Sequence, residues 1–188
     1  MSFSSATQGH YLAAASGQSV YIRVVGLASM NNCGPLEKFL DEFRSRGGGT
    51  QYIFDFSECF GFDSTFMGLL IGFALRGQHD PGEASDRVGE TESQGAGRNS
   101  EVVVVNASDG HRQQLRSVGV DRVVDLCLQP VSFPPIRLTR LADAMQSVDQ
   151  PLRRMVRAHE SLIEVDSRNR ERFGAFLDMV RKELESGA

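Results

Sequence analysis

Between Thr65 and Arg76 the chain reads TFMGLLIGFALR, apolar at nearly every position before the closing arginine. A helix of this composition has no polar face to offer to water, so it should be largely buried. The run before it, QYIFDF, alternates Tyr52, Phe54 and Phe56 with more polar neighbours apart from Ile53, which is the pattern of a strand. A strand that leads into an apolar helix points to a sheet with helices packed on it.

The remaining segments extend this pattern. HYLAAAS and VYIRVV flank a turn-like GQ and read as a hairpin. NNCGPLEKFLDEFRSRGGG opens on Asn and Pro, places Leu36, Phe39, Leu40 and Phe43 at helical spacing, and closes on glycines, as an amphipathic helix does. EVVVVN is a continuous β-branched run of the kind found in strands covered on both faces. SDGHRQQLRSVGV reads as a capped short helix ended by Gly119, and RVVDLCL as one more strand. Strands alternating with helices imply right-handed crossovers and an α/β fold, a mixed, mostly parallel β-sheet with helices packed on it.

Two segments depart from that pattern. Residues 77–100 contain one large apolar residue, Val88, among Gly, Ser and acidic groups, so burial cannot offset their ordering entropy and a mobile insertion loop is expected. From Leu138 onward, Leu141, Met145, Val148, Leu152 and Met155 follow alternating steps of three and four. The seam then weakens: His159 occupies the next position, Leu162 restores it, Asp166 and Asn169 break it, and Phe173, Phe176 and Val180 resume it. The expected arrangement is a main domain over 1–148, closed by a helix near 138–147, and a helical extension over 149–188 with one long helix, straight or kinked, near 151–185. That helix either folds back on its own domain or serves self-association or partner docking.

The composition narrows the function. A formal net charge of -4 gives no general attraction to nucleic acid or to an anionic membrane. The longest apolar run, Phe66 to Leu75, is about half a membrane span. Cys33, Cys59 and Cys127 are odd in number and widely spaced, which suggests neither a disulfide framework nor a zinc site. A soluble, cytoplasmic protein without metal or cofactor is expected. Cys59 and Cys127 are expected to fill apolar space, and His159 to lie along a helix seam.

Asp63, Ser64 and Thr65 stand between the strand and the apolar helix and allow three readings. Asp63 or Ser64 can cap the helix. A nucleophilic serine is the second, but FDSTF lacks the glycines of a nucleophile elbow and the four histidines show no arrangement that names a base. Third, a hydroxyl at a helix N-terminus is a favourable place for a phosphoryl group, because amide donors and the helix dipole meet the added charge of about -1.5 to -2. A partner packed there would have to desolvate that charge, so binding should fail.

VVGLASMNNCGPLEKFLDEF, YIFDFSECFGFDSTFMGLL and VVVVNASDGHRQQLRSVGVDRVVDL resemble successive segments of the STAS domain of bacterial anti-sigma factor antagonists and related sulfate-transporter tails. DFSECFGFDST is the most specific part, and the resemblance spans roughly Val20 to Val148 with 77–100 set aside. It implies Ser64 as phosphoacceptor, flanked by Asp63 and Thr65, with Asp63, Thr65, Met67 and Ser29 at the partner-binding surface. The implied partners are a protein kinase that is also an anti-sigma factor, which binds the unphosphorylated form, and a phosphatase. The chain would then be a substrate and binding module without enzymatic activity, touching neither nucleic acid nor membrane.

Two departures bear on this. Phe66 stands where the family has glycine, so a larger side chain should crowd the kinase-facing turn. Ala28 and Ser29 stand where the family often has an acidic residue. They favour the alternative, a STAS-like scaffold or assembly protein without the switch, forming a homo-oligomer through 151–185.

Overall fold

The computed structural model describes residues 9–47, 51–78, 100–142 and 149–186. Strands β1 (His10–Ser16), β2 (Ser19–Ala28), β3 (Gln51–Phe62), β4 (Val102–Val105), β5 (Asp125–Leu126) and β6 (Thr139–Arg140) form one sheet in the order β5-β4-β3-β2-β1-β6. The β2–β3, β3–β4 and β4–β5 pairs are parallel, whereas β1 runs antiparallel to both β2 and β6. The expected mixed, mostly parallel sheet with helices packed on it is therefore present. Its helices are α1 (Cys33–Ser45), α2 (Ser64–Gln78), α3 (Asp109–Ser117), α4 (Asp149–Val165) and α5 (Asn169–Ser186).

Period-two alternation places Val20, Ile22 and Val24 of β2 beside Tyr52, Phe54 and Phe56 of β3 on one buried face. Helices α1 and α2 cover that face: Phe43 meets Tyr52 edge-on, and Tyr52 meets Phe73 edge-on at 4.6 Å between ring centres. Residues 131–138 cross the opposite face, where Phe133 packs edge-on against Tyr21 and lies under the Arg23 guanidinium. Buried Asp55 holds this strap's base together, accepting hydrogen bonds from Arg23, Ser57 and Asn106, while Asn106 bonds both ways with the Val131 backbone.

Phe66 does not crowd the turn. It is fully buried, stacked on Tyr11 and tilted against Phe56 and Phe62 at 5.9 and 5.8 Å. The first turn of α2 directs this side chain inward, so its bulk fills the core and leaves the surface free.

Two other expectations are corrected. RVVDLCL contributes only a two-residue β5, because Gly119 turns the chain with φ 83° into a 3-10 turn at Val120–Arg122, after which Val123 and Val124 join Val120 in the core before the strand begins. At 138–147, Thr139 and Arg140 pair as an edge strand with β1, and the Leu141 N–H donates to the Tyr11 carbonyl at 2.9 Å. The open edge of β1 needs backbone partners, which outweighs the helical spacing. Residues 143–148 lie outside the described residues. So does most of the expected insertion loop: Gly77 and Gln78 end α2, Ser100 precedes β4, and 79–99 are not described.

The C-terminal extension is a hairpin of two helices that folds back, α4 lying along α2 and α5 packing on α4. The two residues that break the apolar seam make its turn. Asp166 pairs with Arg168 and Arg122, and the buried Asn169 amide donates to the Val118 and Leu162 carbonyls. The hairpin turn is thus tied to the segment after α3.

Replacing Phe66 with alanine removes the ring shared by three aromatic neighbours and should destabilise the protein by about 3–5 kcal/mol. Urea unfolding of the two proteins measures this. A loss under about 1 kcal/mol would mean that the ring contributes little to packing.

Candidate functional site

Strand β3 passes into α2 through a single residue, Asp63. Its Oδ1 accepts from the Phe66 N–H at 3.0 Å and so caps the helix, and its Oδ2 accepts from the Met30 N–H at 2.8 Å. One carboxylate therefore joins the N-terminus of α2 to the turn between β2 and α1. In that turn the Ser29 N–H donates to Asn32 Oδ1, and the Ser29 carbonyl accepts from the Asn32 and Cys33 N–H groups. Ser29 is half-buried, while Thr65 and Met67 are turned inward, 2% and 5% exposed. The accessible apolar groups beside the turn are Leu27 and Phe60, the latter 76% exposed.

Ser64 is the first residue of α2 and is half-buried. Its hydroxyl lies 2.9 Å from His159 Nε2. The other ring nitrogen, Nδ1, lies 2.8 Å from the Met155 carbonyl oxygen, which can only accept. Neutral His159 therefore carries its proton on Nδ1, and Ser64 donates to Nε2. The imidazole is 3% exposed and sits edge-on to Phe173 and Phe176 of α5 at 4.9 and 5.5 Å.

A serine donating to an imidazole is the contact that activates a nucleophile. Here a backbone carbonyl of the same helix occupies the orienting position, and the buried imidazole is flanked by Phe173 and Phe176. The arrangement leaves little space for a substrate. The pairing joins residues far apart in sequence, and the helical seam alone could name His159 only as an interior position.

Helix α4 approaches α2 at van der Waals range because α2 has glycines there. A Cβ at Gly68 would overlap the Ala158 carbonyl, and one at Gly72 would lie 2.7 Å from Ser161 Oγ. Ser64, Gly68 and Gly72 are spaced by four, so they share the helix face that receives α4. Electrostatic contacts bind α4 to α1 as well: Glu37 accepts from Arg154 at 2.7 Å and from Arg157 at 2.8 Å.

The thiols near the site are unreactive by environment. Burial pushes Cys33 up to about 12, against a partly offsetting hydrogen bond with Tyr11, and pushes Cys59 up to about 11. Cys127 is half-buried, its thiol donating to the Gln129 carbonyl. Among the described residues no group of three His, Cys, Asp or Glu side chains is placed to hold a metal ion, and no helix is long and apolar enough to cross a membrane.

Acid should loosen the hairpin first. Burial works to raise the pKa of Glu37, but hydrogen bonds from Arg157 and Arg154 outweigh it and hold the group below its ordinary 4.5. The Arg168 hydrogen bond is the chief cause holding Asp166 down to about 2. Both folded values lie below the unfolded ones, so these contacts stabilise fully above the ordinary carboxylate range and are lost as pH falls through the folded values. Pepsin digestion across about pH 4.5 to pH 2 should cut α4 and α5 before the sheet. Simultaneous cutting of both would contradict this.

No family model matches the chain, and no curated protein matches it. Among solved structures, it is similar to the Bacillus cell fate determinant SpoIIAA in the phosphorylated form, at 20% identity over 63% of this chain and 92% of that one, with a TM-score of 0.41. A likeness at that level adds nothing to what the strand order and hydrogen bonds already establish.

Proposed function

We propose that the protein is a non-enzymatic binding module switched by phosphorylation of Ser64. The observation that carries this reading is the hydroxyl at the N-terminus of α2, hydrogen-bonded across the face on which another helix is docked. An unmodified Ser64 leaves that face small, apolar and able to receive a helix, as its contact with α4 illustrates. A phosphoryl group there would be stabilised by the helix N-terminus yet would place a hydrated dianion against whatever is docked. The resemblance to anti-sigma factor antagonists names the expected partners: a kinase that is also an anti-sigma factor, and a phosphatase. Exposed Phe60 and Leu27 offer apolar area beside the turn for such a partner.

Intact-mass measurement of the protein recovered from its own cells, before and after phosphatase, tests the modification. One phosphoryl mass, removed by phosphatase and absent from Ser64→Ala, is expected. Capture of the partner should weaken at least about tenfold with Ser64→Asp, as the cost of desolvating a charge requires. An unmodified Ser64 together with unchanged capture would end this reading.

The second reading, a scaffold that self-associates through the C-terminal helices, draws on α5. Phe176 is 38% and Met179 59% exposed, and an outer groove of about 580 Å³ runs between α4 and α5. Deleting 149–188 would bare α2 and promote artificial association, so a surface change tests it better. If the reading holds, the full chain sediments as an oligomer and Met179→Lys shifts it toward monomer. A monomer in both cases excludes assembly through that face.

A further inference from the structure

We infer that the C-terminal hairpin is a cover for the α2 face, released when Ser64 is phosphorylated. This rests on the reading of Ser64 as the acceptor and adds how its modification is transmitted. The Ser64 hydroxyl and His159 are in direct contact at 2.9 Å, so a phosphorus and three oxygens cannot be added between them without moving one. His159 cannot swing aside alone, because its ring is buried, its Nδ1 is bonded to the Met155 carbonyl, and Phe173 and Phe176 flank it. Helix α4 cannot shift slightly either. The neighbouring residue, Ala158, has its backbone against Gly68, so α4 cannot move closer to α2, and moving away breaks that close contact.

The response is therefore a separation of whole elements. The His159 contacts carry the displacement into α5, so α4 and α5 leave α2 together. The Glu37 pairs with Arg154 and Arg157, the Asp166 pair with Arg122 and the Asn169 bond to the Val118 carbonyl oppose release, being among the contacts that hold the hairpin to α1 and to the segment after α3. Release bares Leu69 and the glycine face of α2, together with Met155, Ala158 and Leu162 of α4, all buried in the closed form. The dianion stays at the mouth of the bared face, so release does not restore the partner binding that the unmodified form makes beside the turn at Leu27 and Phe60.

The test uses the full chain with phosphoserine installed directly at position 64, so its result does not depend on whether cells modify the residue. Amide hydrogen exchange is compared among this protein, the unmodified chain, Ser64→Asp and Gly68→Ala, which forces α4 away without adding charge. The expected result is exchange about tenfold or more faster across α4 and α5 in the phosphoserine form and in Gly68→Ala, with β2, β3 and β4 unchanged. A smaller change in the same segments is expected for Ser64→Asp. Hairpin protection in the phosphoserine form equal to that of the unmodified chain would overturn the inference. So would faster exchange throughout the sheet in both the phosphoserine and Ser64→Asp forms, since that is unfolding and not release. The proposed function could survive either result, because it depends on modification in cells and on partner affinity.

Discussion

A helix as apolar as α2 has to be covered on more than one side, and the rest of the architecture follows from how that cover is supplied. The sheet takes one side, through Tyr52 against Phe73 and Phe56 against Phe66. Helix α4 takes another, and can do so only because Gly68 and Gly72 let its backbone come close. Apolar burial sets the association, and the missing side chains set its distance. With larger residues at these two positions α4 would ride outward, Leu162 would leave the core and the Ser64–His159 contact would not form.

That contact links the compactness of the domain to its chemistry. At the start of α2, Asp63 uses both carboxylate oxygens to hold the strand-to-helix corner, leaving the next hydroxyl available at the surface of the α2–α4 seam. The same geometry favours an added anion on the helix and disfavours whatever is docked over it. Asp166 and Asn169, which interrupt the seam of the C-terminal region, supply the turn and its anchors to the segment after α3. Polar residues in an apolar pattern here mark where the chain reverses.

Much of the sheet and the first three helices was legible because each obeys a local rule. Period-two alternation marked β3, the uninterrupted Val run marked β4, and Ser108 and Gly119 delimited α3 and its exit. The rules failed at the edges. Thr139 and Arg140 have helical spacing around them, yet the open edge of β1 recruits them into a strand. Arg122 to Leu128 look like one strand, yet Val123 and Val124 go into the core after a tight turn and only Asp125 and Leu126 pair. In the candidate site, Ser64 stood out from its place between a strand and an apolar helix. Thr65 and Met67, assigned to its surface, lie inward, and Leu27 and Phe60 are exposed instead.

What the sequence determined by itself is what depends on neighbours along the chain: the class of fold, the apolar character of α2, and a hydroxyl placed at that helix's start. What only the tertiary structure decided is which distant group meets that hydroxyl. His159 lies 95 positions away, and the choice between folding back and reaching outward depended on the fit of Ala158 and Ser161 against two glycines. Helical periodicity shows which face of α4 is apolar. Only the close approach of two backbones in space selects the surface that covers it.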